Sequence, residues 1–217
     1  MSASNKTLHD LLLSGQEIPC EIAIEVTSLD LEGSSISDLS PLSSLVNLEW
    51  LVLNATKITN LSPLSGLVKL HRLHLNCTQV SDLSGLSGLT NLRRLYLGYT
   101  NVDDLSPLSE LLNLEVLYLA GTRVEDLTSL SNLLKLTSLG LYDTKVVNLS
   151  PLSDLVSLET LGLSEAQVGD LSPVVALVNL KTLHLNDVRA GDWSPLSQLH
   201  DLTIAGIDGE VLRWPLG

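Results

Sequence analysis

From Val26 onward an apolar residue returns every 22 positions: Val26, Leu48, Leu70, Leu92, Leu114, Leu136, Leu158, Leu180 and Leu202. No insertion or deletion interrupts the series. Eight whole repeats therefore fill 26–201, and a partial ninth begins at Leu202. The shared pattern is L-x-x-L-x-L-x-x-T-x-V-x-D-L-S-P-L-x-x-L-x-N, seen in LHRLHLNCTQVSDLSGLSGLTN and LEVLYLAGTRVEDLTSLSNLLK. The segment L-x-x-L-x-L ends in period-2 alternation, as in Leu95-Tyr96-Leu97, which predicts a short strand with its leucines on one face. The next aliphatic (Ile36, Ile58, Val80, Val102, Val124, Val146, Val168) turns the chain back inward. D-L-S-P-L then predicts a short helical turn, with Ser or Thr as N-cap and Pro at its first position. Pro41, Pro63, Pro107, Pro151, Pro173 and Pro195 occupy that site.

Two polar columns accompany the leucines. Thr56, Thr78, Thr100, Thr122 and Thr144 sit where a small hydroxyl can bond the loop backbone. Asp38, Asp82, Asp104, Asp126, Asp170 and Asp192 form the other, with Asn60 and Asn148 in the gaps. Stacked carboxylates suggest Ca²⁺, but Asn caps backbone N–H groups as well as Asp does and binds a cation poorly. The column reads as capping. One repeat alone leaves both flanks of its leucines open, so stability must come from stacking of neighbours.

This pattern resembles the leucine-rich repeat, in the 22-residue class of bacterial internalin-like proteins. The resemblance covers 26–217 and implies an α/β fold: a right-handed solenoid with a curved parallel sheet on its concave face and short 3₁₀ or helical turns on its convex face. It also implies protein recognition through the concave face. Around this core, 1–25 is expected to form an N-terminal cap with amphipathic helical turns over residues 5–14, and 202–217 a partial repeat and C-terminal cap. Trp193, which replaces a repeat Leu, and Trp214 are expected to shield the last coil.

Residues between the strand leucines face outward. One outward column reads Ser28, Trp50, Arg72, Arg94, Val116, Ser138, Thr160, Thr182, Ile204, and the next Asp30, Val52, His74, Tyr96, Tyr118, Gly140, Gly162, His184, Gly206. A third column reads Glu32, Asn54, Asn76, Gly98, Ala120, Tyr142, Ser164, Asn186, Asp208, and all four Tyr residues lie in these columns or one position beyond. Tyr, Trp and Arg dominate interface hot spots. Trp50, Arg72, His74, Arg94, Tyr96, Tyr99, Tyr118 and Tyr142 are therefore the expected partner-binding residues. Arg93 is expected to add charge, and His184, between two glycines, to be open.

Composition sharpens this picture. Leu supplies 54 of 217 residues and Phe none, so the core is one aliphatic unit reused. The net charge of −13 argues against a general nucleic-acid or anionic-membrane binder. Yet LHRLHLNC and LRRLYLGY carry no acid, so the basic cluster stands out and suits a protein partner with an acidic or apolar surface. Two cysteines, Cys20 and Cys77, read as separate thiols. With no secretory h-region near Leu11-Leu12-Leu13, a cytoplasmic monomer is the expectation, delivery as a secreted effector remaining open.

No chemistry is expected. His71, His74 and Cys77 mimic a metal motif, but on a strand His71 and His74 point to opposite sides, Cys77 lies at the loop, and no fourth ligand has suitable spacing. The sequence has no G-x-S-x-G, no Gly-rich phosphate loop and no paired carboxylate in a predicted cleft. The expected function is a non-catalytic scaffold without cofactors. The alternatives are a regulatory subunit docking on an enzyme, of phosphatase or ubiquitin-ligase type, and a receptor for carbohydrate or another small ligand.

Overall fold

The computed structural model describes residues 18–199, together with 8, 10–12, 16, 202–205 and 211–213. Each coil begins with a three-residue strand: β1 Ser28–Asp30, β2 Trp50–Val52, β3 Arg72–His74, β4 Arg94–Tyr96, β5 Val116–Tyr118, β6 Ser138–Gly140, β7 Thr160–Gly162, β8 Thr182–His184 and β9 Thr203–Ala205. These nine pair in parallel, in chain order. A last strand, β10 (Val211–Arg213), pairs antiparallel with β9. The sheet lines the concave face and stays open, as a solenoid requires. Opposite it run short 3₁₀ turns, from Ser40–Ser44 to Ser194–Gln198.

The core is one continuous stack. Leu51, Leu53, Ile58, Leu61, Leu64, Leu67 and Leu70 are buried in one coil, and their equivalents 22 residues on are buried in the next. Every Thr of the small-hydroxyl column is buried and donates to the carbonyl three residues back, Thr100 to Leu97 at 2.7 Å for example. The Asp/Asn column accepts the backbone N–H two residues ahead in all eight coils, Asp104 Oδ1 from Ser106 at 2.8 Å and Asn60 Oδ1 from Ser62 at 2.9 Å.

That geometry corrects the expected cap. The Ser or Thr before Pro is the first residue of the turn, and the preceding Leu (Trp193 in the last coil) holds the cap position without a side-chain bond. The Asx side chain reaches the Ser N–H first, so the Ser hydroxyl donates back to Asp instead, as Ser106 Oγ does to Asp104 at 2.8 Å.

The period also changes at the C-terminal end. Leu183 pairs with Ile204, 21 residues on, whereas each earlier pair is 22 apart. Ile204 is thus buried in the core, not outward, and Thr203 and Ala205 continue the two outward columns. Trp193 is 40% exposed where Leu171 is fully buried, so its ring does not enter the slot that Leu fills. At the other end, Leu8 and Leu12 are helical and buried, followed by α1 (Cys20–Ala23). Trp214, Gly206 and much of both caps lie outside the described residues. Among those described, no helix is long and apolar enough to cross a membrane.

Candidate functional site on the concave face

Strand register places six of the eight expected residues in two adjacent rows. Trp50, Arg72, Arg94 and Val116 stand in one row, and Val52, His74, Tyr96 and Tyr118 in the next. The row continues through Gly140, Gly162 and His184. Tyr142 lies two residues past Gly140, and Tyr99 three past Tyr96 in the loop, 64% exposed.

The rings form a ladder. His74 stacks on Tyr96 at 4.2 Å between centroids, and Tyr96 on Tyr118 at 5.4 Å with planes 7° apart. The Tyr118 hydroxyl shares a 3.1 Å hydrogen bond with Ser138 Oγ. Beyond Tyr118 the ladder rests on glycines. A Cβ at Gly140 would strike the Tyr118 ring, one at Gly162 the Tyr142 ring, and one at Gly121 the Tyr99 ring. Each of these three tyrosines thus lies across a missing side chain of the following coil, whereas Tyr96 meets Tyr118. Tyr142 then meets His184 edge-on at 5.7 Å, so His184 closes the ladder and is not the open residue expected from its glycine neighbours.

Burial among these rings sets their ionisation. Desolvation lowers the pKa of His74, and the nearby Arg72 charge lowers it further against a smaller pull from Glu32 and Asp30. His184 is lowered by burial alone, and Tyr142 is raised by burial and by Tyr118. His74 Nε2 is buried with no hydrogen-bond partner, so this imidazole is a stacked element and not a free surface group.

Charge is distributed more narrowly than expected. Arg93 is bound to Glu115 at 2.9 Å, so its charge is compensated. Arg72 lies over the Trp50 ring, 5.4 Å from its centroid, and Arg94 is exposed. Two features escape the sequence reading. The glycines act as ring seats, which shows only once strands are in register. A second 22-residue column, Ile24, Val46, Val68, Leu112, Leu134, Val156 and Val178, is exposed on the flank of the solenoid. Its periodicity is visible in the sequence, but its orientation is not. Among the described residues no three His, Cys, Asp or Glu side chains converge as metal ligands.

A sheet of one strand per 22-residue coil, backed by 3₁₀ turns and filled with leucine, defines the leucine-rich-repeat solenoids, which are generally non-catalytic protein-interaction modules. The family model for leucine-rich repeats in two copies matches residues 46–88, 68–110 and 90–132. An internalin from Listeria monocytogenes is 32% identical with a TM-score of 0.73, over 93% of this chain and 67% of that one. Internalin C2 of the same organism is 28% identical with a TM-score of 0.86, over 94% and 92%. The leucine-rich-repeat ectodomain of an Arabidopsis thaliana membrane receptor kinase, solved with Casparian strip integrity factor 2, is 24% identical with a TM-score of 0.68. That likeness covers 82% of this chain and 24% of that one, and it shows the fold alone. No curated protein matches the sequence. The chain belongs to the leucine-rich-repeat family, in its internalin-like class.

Proposed function

We propose that this protein is a non-catalytic scaffold that docks one protein partner on the strip from Trp50 to Tyr142. The observation that carries the reading is the ring ladder. Tyr96 is stacked between His74 and Tyr118, so its ring faces are occupied; Tyr118 turns one face to Tyr96, and its hydroxyl is shared with Ser138 Oγ. Ring edges and phenolic O–H groups suit carbonyl and carboxylate acceptors of a protein surface. The same geometry weighs against a carbohydrate receptor, because a sugar needs an open ring face. Trp50 has a face covered by Arg72.

A regulatory subunit that docks on an enzyme would use the same strip. The reading keeps the chain monomeric and cytoplasmic, the latter on its two exposed, unpaired thiols, Cys20 and Cys77.

Affinity capture with wild type, with Arg94→Glu/Tyr96→Ala, and with Val156→Ser/Val178→Ser tests it. Circular dichroism checks the fold of each. The first variant should lose the partner and the second keep it. The reverse result would assign docking to the flank and overturn the proposal.

A further inference from the structure

Arg72 and Arg94 are direct partners across β3 and β4. Like charges placed opposite each other destabilise a sheet. Other cations are matched: Arg93 to Glu115 at 2.9 Å, Lys181 to Glu159 at 2.8 Å, and Lys145 to Glu125 at 3.5 Å, whereas Lys57 and Arg189 have no such partner among the described residues. Lys69 and Lys135 are held by Asn47 and Asn113. Arg72 and Arg94 have no acid and no hydrogen bond among the described residues, in a chain with 25 acids. Their neighbours in the row are Trp50 and Val116, which carry no charge.

Arg72 is also pre-set. Its guanidinium lies over Trp50, 5.4 Å from the ring centroid, and stacking leaves the N–H fork unused. With strands about 4.8 Å apart, long side chains at paired positions can reach one small anion. A planar fork binds an oxyanion through paired N–H bonds, which a hydrated point charge does not reproduce.

We propose that Arg72 and Arg94 form an oxyanion subsite that holds one carboxylate or phosphoryl group carried by the protein partner, with Trp50 as a positioning residue for Arg72. The inference rests on the concave strip being the docking surface. The overall charge of −13 repels polyanions at long range, so what this site selects is a single group presented at short range.

The test titrates the whole chain with a hexaglutamate peptide, a phosphoserine peptide of equal length and a hexaglutamine control, following the arginine side-chain N–H signals by NMR. The Arg72 and Arg94 signals should shift with one or both acidic peptides, less at high salt, and not with glutamine. Which acidic peptide binds tells carboxylate from phosphoryl. Arg94→Gln should weaken binding roughly tenfold or more, and Arg94→Lys, which keeps charge but loses the fork, by roughly threefold. Trp50→Ala should weaken it while leaving both charges in place. No shift with either acidic peptide, or equal binding by Arg72→Gln/Arg94→Gln, overturns the subsite. If Tyr96→Ala abolishes partner capture while Arg94→Gln does not, the subsite falls and the docking strip stands. If acidic peptides bind through the arginines but no partner depends on the strip, the docking reading falls instead.

Discussion

Single residues decide the shape of the strip. Gly162 is the seat of the Tyr142 ring, and the atoms that a Cβ would meet are the far end of that side chain. Gly162→Ala should therefore leave the fold intact and lift the ring into solvent. The measurable sign is the phenol itself: burial raises its pKa, so an ultraviolet pH titration should bring it back toward the ordinary 10.0 in the variant. His74 gives a second prediction. Its folded pKa is depressed, mainly by burial and then by Arg72, with Glu32 and Asp30 opposing. The unfolded chain then binds more protons, so this residue withdraws stability as pH falls below its ordinary value of 6.5. Chemical denaturation of wild type and His74→Phe should show the variant gaining on wild type from pH 7.5 to 5.5. A difference that stays constant over that window would contradict the assignment. The five lowered aspartates, Asp38, Asp82, Asp126, Asp170 and Asp192, act only further into acid, below the ordinary 3.8.

Within one element, the coil, identical consensus positions do not guarantee identical surroundings. Gly85 and Ser129 stand where most coils have Pro. A Cβ at Gly85 would collide with the Leu61 carbonyl and come within 2.8 Å of Ser62 N, all backbone. Gly85→Pro should cost about 1–3 kcal/mol by overpacking. Ser129→Pro, which already has a Cβ in place, should gain about 0.5–1 kcal/mol from the stiffer unfolded chain. Thermal melts of the two variants should move in opposite directions. A related strain recurs after each strand. Ala55, Cys77, Tyr99, Asp143, Glu165 and Asp187 take positive φ where Gly33 and Gly121 do so freely. Ala55→Gly should stabilise the chain by about 0.5 kcal/mol, because relief of left-handed strain exceeds glycine's added entropy in the unfolded chain. The coil is legible in the sequence because Leu48, Leu51 and Leu53 and their repeats carry the burial pattern themselves. The ring seats, the close approach at Gly85 and the shortened spacing at Ile204 are set by the neighbouring coil, and a pattern read one repeat at a time does not contain them. The outward placement of Trp50, Arg72, His74, Arg94, Tyr96 and Tyr118 is legible for the same reason that the leucines are: they alternate with them.

For the whole molecule, each coil touches only the coils beside it, so stability is a sum over neighbours. End coils have one neighbour and inner coils two. Amide hydrogen exchange should be slowest in β4–β6 and faster toward β1 and β9, and uniform protection would argue for a more global cooperativity. The ladder has a different unit. Tyr99, Tyr118 and Tyr142 each rest on a glycine of the following coil, so the leucine stack repeats once per coil while the ring seating repeats once per pair. This constrains how such a gene can change. Duplicating or deleting one coil keeps the leucine stack intact yet sets a tyrosine against a neighbour without its glycine. Ring arrangements would then be inherited through exchanged pairs, and single-coil copying would give well-folded proteins with a broken ladder.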